Sequence, residues 1–219
     1  MKILHFSDLH GNWEQLRGLK DYSKLVSDLE IVVCSGDLLG ECLNDDEGRE
    51  MRNSFEAIIN GVKTNEPVPF NILLKHLVTN PSVPLLLKFA ADKYSKAVKE
   101  YERRAESQYQ EIYDICKEFP VPVIMVPGNW DSKDFLRFFE SNSLHERAAK
   151  GKENGITIAG YGGADVYPMN TPPTKVIPFY EEKMKRHLTE KDPDIAITHV
   201  MPNEIISNTN VRVACENDR

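Results

Sequence analysis

The sequence predicts an α/β fold carrying a helical insertion. Three observations carry that prediction. Short apolar runs end abruptly in polar or glycine-rich turns, helical spacing separates several of them, and one long middle segment shows helical patterns alone.

Five runs read as strands: residues 3–6, 31–34, 121–126, 156–159 and 195–198. Each is aliphatic or β-branched without strict alternation, the pattern of strands covered on both faces. Four of them lead into SDLHGN, SGDLLG, PGNWDS and THVMP, and the fifth leads into GYGG. Leu16, Leu19, Val26 and Leu29 mark a helix between the first two strands. Phe135, Leu136, Phe138 and Phe139 mark another after PGNWDS, with Asp131 or Ser132 placed to cap it. In open α/β sheets ligands gather beyond the C-terminal ends of the strands, where these turns fall.

The insertion spans 41–119. Met51, Phe55, Ile58 and Ile59 form one stripe, and Phe70, Leu73, Leu74, Leu77 and Val78 form a second. Leu87, Ala91, Tyr94, Val98, Tyr101, Ala105, Ile112, Cys116 and Phe119 then recur at spacings of three and four, with a polar turn near Gln108. A helix from Pro84 to Glu118 is on the order of 50 Å long at 1.5 Å per residue. The two shorter helices are too short to cover all of its apolar face. The insertion therefore reads as a lid over the polar turns or as a contact in a homo-oligomer. The second is favoured because the stripe resembles a coiled-coil seam.

Composition narrows the function. With 41% hydrophobic and 28% charged residues the chain reads as soluble and globular. A net charge of -7 argues against general nucleic-acid binding, which needs a basic footprint. It leaves a phosphate substrate open, because bound metal supplies positive charge locally. No apolar stretch is long enough for a membrane helix and the N-terminus lacks a signal-peptide core. Cys34, Cys42, Cys116 and Cys215 form no CxxC pair and read as free thiols. The expected location is the cytoplasm.

The turns carry the chemistry. They supply Asp8 and His10 from the first, Asp37 from the second, Asn129 from the third and His199 from the fourth. Carboxylate, imidazole and carboxamide donors suit Mn, Fe, Zn, Ni or Mg. Each residue taken singly reads as a turn or cap residue. Taken as a set, each after its own strand, they converge on one point. Two divalent metal ions about 4 Å apart hold a hydroxide between them and clamp a phosphoryl group during in-line displacement.

SDLHGN, SGDLLG, PGNWDS and THVMP stand in an order and strand context that resembles the calcineurin-like metallophosphoesterase family, whose pattern runs D-x-H, G-D, G-N-H-[DE], a lone H and G-H-x-H. GYGG resembles a further family feature. The resemblance covers the body of the chain and not the insertion. It implies a sandwich of two mixed sheets flanked by helices. It also implies a phosphate-ester hydrolase in which Asp8 and His10 bind one metal and Asp37 bridges both. Asn129 and His199 then bind the second, and Asn129 also orients the phosphate as a catalytic and substrate-binding residue.

Two departures stand out. Trp130 occupies the position of the family's histidine, the group assigned to protonate the leaving group, and indole cannot do so. Some diesterase-like branches also lack that histidine, so a diester is favoured over a monoester. No GHxH occurs in the 20 residues after His199. The expectation is a 1–219 domain that is C-terminally incomplete, a site that is incomplete, or one completed by a partner. The contrasting function is a non-catalytic scaffold that keeps the phosphoesterase fold for protein binding. Among the other histidines, His5 reads as a hydrogen-bonded core residue, His76 and His187 as solvated, and His145 as structural. Tyr94 and Tyr101 read as packing, and Lys96, Lys99, Arg103 and Arg104 as a solvated helix face.

Overall fold

A computed structural model describes residues 2–62, 68–150, 155–166, 168–200 and 212–214. Two compact units emerge: Met1–Gly40 with Glu106–Tyr167 and Val176–Arg219, and Glu41–Ala105 with Pro168–Lys175. The 41–119 segment therefore contributes its last residues, from Glu106 on, to the first unit.

The first unit is an α/β body with two sheets. β1 (Lys2–Phe6), β2 (Leu29–Cys34) and β3 (Val123–Met125) form one sheet, in the order β1-β2-β3 and wholly parallel among the described residues. β4 (Arg147–Lys150), β5 (Thr157–Tyr161), β6 (Ile195–Thr198) and β7 (Arg212–Ala214) form a mixed sheet in that order. β4 runs antiparallel to β5, and the other pairs are parallel. Sequence patterning misses β4 and β7. β4 reads RAAK and is largely exposed, so it lacks the apolar run that marks the buried strands.

The core explains those runs. Val33, Ile124 and Val126 pack with Ile158 and Ile197 between the sheets. The alternate residues Ala159, Tyr161 and Ala196 turn to the opposite face, against Met184 and Leu188 of α6 (Glu181–Lys191). Both faces of β5 and β6 are covered, so every position is apolar or small. Leu188→Ala opens a cavity here and is expected to cost about 2–4 kcal/mol, read as a lower urea midpoint.

β1 departs from the buried pattern. It lies at the end of its sheet among the described residues, and His5 is exposed rather than core. The His5 ring is still hydrogen-bonded, with Nε2 3.0 Å from Ser35 Oγ. His187, expected in solvent, is buried on α6 with Nε2 3.2 Å from the Arg147 carbonyl oxygen, because that helix face packs on β5. His76 is exposed, as expected. Cys34, Cys42 and Cys116 are buried and form no disulfide among the described residues; Cys215 lies outside them.

The second unit is helical. α2 (Asp45–Gly61) opens on a capping box between Asn44 and Glu47, with three acidic residues in its first turn. α3 (Phe70–Thr79) and the first part of α4 (Leu85–Cys116) follow. Phe55, Phe70 and Tyr94 stack with ring centroids 5.1–5.5 Å apart, and the Tyr94 hydroxyl lies 2.8 Å from Thr174 Oγ1. Arg104 is not simply solvated: it donates to Glu47 and to the Cys42 carbonyl, tying α4 to the N-terminus of α2.

Much of the apolar stripe of α4 is covered within the chain, while Leu87 and Val98 are half-buried. Ala91, Tyr94, Tyr101, Ala105, Ile112 and Cys116 are all buried within the chain. Ile112 and Cys116, at its C-terminal end, belong to the α/β unit. Exposed apolar side chains of the helical unit include Ile59, Ile72, Val78, Leu85, Leu86 and Phe89.

Candidate metal centre

Backbone pairing carries the β1–β2 ladder past the strand ends. Ser35 N donates to the Phe6 carbonyl, Asp8 N to Gly36, His10 N to Asp37 and Gly11 N to Leu38, at 3.1–3.2 Å. The SDLHGN and SGDLLG turns thus lie side by side. Asp8, His10 and Asp37 all hold positive φ, at 56°, 42° and 55°. Such conformations cost non-glycine residues free energy and cluster at functional sites.

The third turn is held from the other side. Trp130 N donates to Asp37 Oδ1 at 2.8 Å. Gly128 lies so close to the second turn that an added Cβ would sit 2.1 Å from Asp37 Oδ1 and 2.4 Å from Asp37 N. GYGG makes the next contact: a Cβ on Gly162 would fall 2.1 Å from the Pro127 carbonyl oxygen. Glycine is a steric requirement at both positions. His145 has the structural role expected, since its Nδ1 accepts from Gly162 N at 3.1 Å. Burial lowers its pKa, which favours the neutral, accepting ring.

All five residues singled out in the sequence meet. One ligand atom from each of Asp8, His10 and Asp37 lies within 4.8 Å of the others. His10 Nε2 is 3.5 Å from Asp8 Oδ1 and 3.9 Å from Asp37 Oδ2. On the other side, His199 Nε2 is 3.7 Å from Asp37 Oδ1. Hydrogen bonding orients the Asn129 carboxamide with its nitrogen toward Asp37 Oδ2 (2.7 Å), Asp37 Oδ1 (2.9 Å) and His199 Nε2 (3.0 Å). The His199 ring is set by Nδ1, which donates to the Ser35 carbonyl at 2.9 Å. That bond leaves the Nε2 lone pair facing Asp37 and Asn129. Asp37 and His199 are buried, whereas His10 is exposed.

The donor set fits a divalent cation. Carboxylate oxygens and imidazole nitrogens face one another across 3.5–3.9 Å, an arrangement of lone pairs that a cation stabilises. Cys34 does not join them: burial pushes its thiol well above the usual range.

The calcineurin-like phosphoesterase family model matches residues 1–217. The chain belongs to that family. No curated protein and no solved structure matches it. Calcineurin-like phosphoesterases are metal-dependent hydrolases of phosphate esters, and their fold is the two-sheet α/β body seen here. Among the described residues, no helix is long and apolar enough to cross a membrane.

Of the two cap candidates, Asp131 and Ser132, Ser132 is the one placed at the helix start. Ser132 Oγ accepts from Asp134 N at 3.3 Å at the start of α5 (Asp134–Phe138), while Asp131 turns inward and is fully buried. Its carboxylate accepts from Gly128 N (2.9 Å), Leu38 N (3.4 Å), Leu39 N (3.4 Å) and the Tyr109 hydroxyl (3.2 Å). Burial raises its pKa, and the donated backbone N–H groups oppose that rise. The signal was available: Asp131 occupies the acidic position of the calcineurin-like G-N-H-[DE] pattern.

Proposed function

We propose that this protein hydrolyses a phosphodiester at a dinuclear metal centre. Asp8, His10 and Asp37 would hold one divalent ion, and Asp37, His199 and Asn129, its carboxamide turned so that the oxygen replaces the nitrogen on that side, would hold the second. The observation that carries this reading is the placement of Asp37. One of its oxygens faces His10 at 3.9 Å and the other faces His199 at 3.7 Å, so a single carboxylate stands between two imidazoles. When bound, two such ions activate water and offset the charge on the phosphoryl group.

The chain's own residues do the rest. The Ser35 carbonyl fixes the His199 tautomer. Trp130 N–H holds one Asp37 oxygen in place. The Asn129 carboxamide, beside both, orients a phosphoryl oxygen. The reading keeps the cytoplasm as the compartment, on the strength of the buried cysteines Cys34 and Cys116, which form no disulfide.

Trp130 supports the diester preference. Its ring stands edge-on to His10 with centroids 5.1 Å apart, and it offers no titrating proton to a leaving group. Esters with good leaving groups, such as bis(nitrophenyl) phosphate, are therefore expected to be cleaved far faster than alkyl esters. Trp130→His should raise the rate on poor leaving groups by about tenfold or more, the lower range of general acid catalysis. The test is a panel of mono- and diesters assayed with Mn, Ni, Zn and Mg. Equal rates on good and poor leaving groups would refute the role given to Trp130. Metal binding with no hydrolysis of any ester would favour a scaffold.

A further inference from the structure

The polar turn that interrupts the α4 stripe sits beside the metal-bearing turns. Gln108 Oε1 accepts from Gly40 N at 2.8 Å, at the end of SGDLLG. The next residue, Tyr109, is fully buried among Phe135, Phe138 and Phe139. Its hydroxyl donates to Asp131 Oδ1 at 3.2 Å and accepts from Ser132 N at 2.8 Å. Asp131 in turn accepts from the backbone of both turns, through Gly128 on one side and Leu38 and Leu39 on the other. These three N–H groups flank the residues that carry the chemistry: Leu38 follows Asp37, and Gly128 precedes Asn129.

We propose that Tyr109 and Asp131 are positioning residues of the metal centre: α4 holds the Asp131 carboxylate through the Tyr109 hydroxyl, and that carboxylate fixes the spacing of Asp37 and Asn129. The inference rests on the reading that Asp37 and Asn129 bind metal. A buried carboxylate can accept from several N–H groups at once, so it pins two loops with one side chain. Tyr109 supplies an anchor that belongs to neither loop. Without that hydroxyl, Asp131 Oδ1 keeps the long 3.4 Å bond from Leu39 N, and the two turns lose the anchor that α4 supplies.

Titration with Mn²⁺ alone, followed by electron paramagnetic resonance, tests this without relying on turnover. Tyr109→Phe is expected to bind Mn²⁺ about tenfold more weakly or worse, the usual cost of losing a supporting partner. Asp131→Asn keeps the size of the side chain and is expected to show the same loss. It serves as the second variant if Tyr109→Phe does not fold. Leu188→Ala, in the core between β5 and α6, destabilises the same unit and is expected to bind Mn²⁺ like the parent protein. Unchanged affinity in Tyr109→Phe, or an equal loss in Leu188→Ala, overturns the proposal. Asp37→Asn separates the two levels. If it binds Mn²⁺ like the parent, the metal assignment itself fails, and this inference fails with it. If it loses Mn²⁺ while Tyr109→Phe does not, only the positioning role fails.

Discussion

Asp37→Asn is expected to abolish the proposed dinuclear centre. Among the described residues, Asp37 alone has oxygens facing both imidazoles, 3.9 Å from His10 and 3.7 Å from His199. Asparagine preserves the shape but removes the charge and turns one acceptor into a donor. Loss of a mere supporting group weakens metal binding by roughly 10- to 100-fold, so loss of a shared ligand should exceed the upper end of that range. Two measurements check this. Metal content by elemental analysis should fall, and the rise in melting temperature on adding Mn²⁺ should disappear, because that rise requires a ligand bound by the folded state. Activity should fall with it. Parent-like metal content and turnover would sink the assignment of Asp37 as the bridge.

The second large effect comes from a residue with no functional group. Gly128→Ala places a Cβ 2.1 Å from Asp37 Oδ1 and 2.4 Å from Asp37 N. Side-chain rotation cannot relieve the second contact, because the atom it meets is backbone. The second and third turns must separate, which breaks the bond from Trp130 N to Asp37 and the Asp131 bridge. A cost of about 3 kcal/mol is expected, at the upper end for overpacking. Mn²⁺ affinity should fall in parallel. Gly18→Ala is the matched control. It lies in α1 (Trp13–Ser23) with open space around it, and alanine there should stabilise by about 0.5–1 kcal/mol. A urea midpoint for Gly128→Ala at or above that of the parent would show that the turns tolerate separation.

Much of this was legible from residue order. Strands covered on both faces leave continuous apolar runs, and β2, β3, β5 and β6 were visible for that reason. Polar turns at their ends marked Asp8, His10, Asp37, Asn129 and His199 as candidate ligands, because in such sheets ligands gather beyond the C-terminal strand ends. The long helix was equally plain: a stripe at spacings of three and four predicted residues 84–118, and α4 spans Leu85–Cys116. β4 stayed hidden, since an exposed strand of RAAK carries no such run.

By itself, the sequence determined the α/β class, the order of the motifs and the candidate donors, because each depends on local pattern and residue chemistry. Tertiary structure alone decided which groups hold those donors in place. Asp131 reads locally as a cap, yet its partners lie at positions 38, 39 and 109 as well as 128. The Ser35 carbonyl that sets His199 lies 164 residues away from it in the chain. The stripe on α4 reads as one continuous seam, yet its C-terminal residues Ile112 and Cys116 are buried in the α/β unit. Spacing along a chain specifies which face a side chain shares with its neighbours, but not what a remote segment brings against that face.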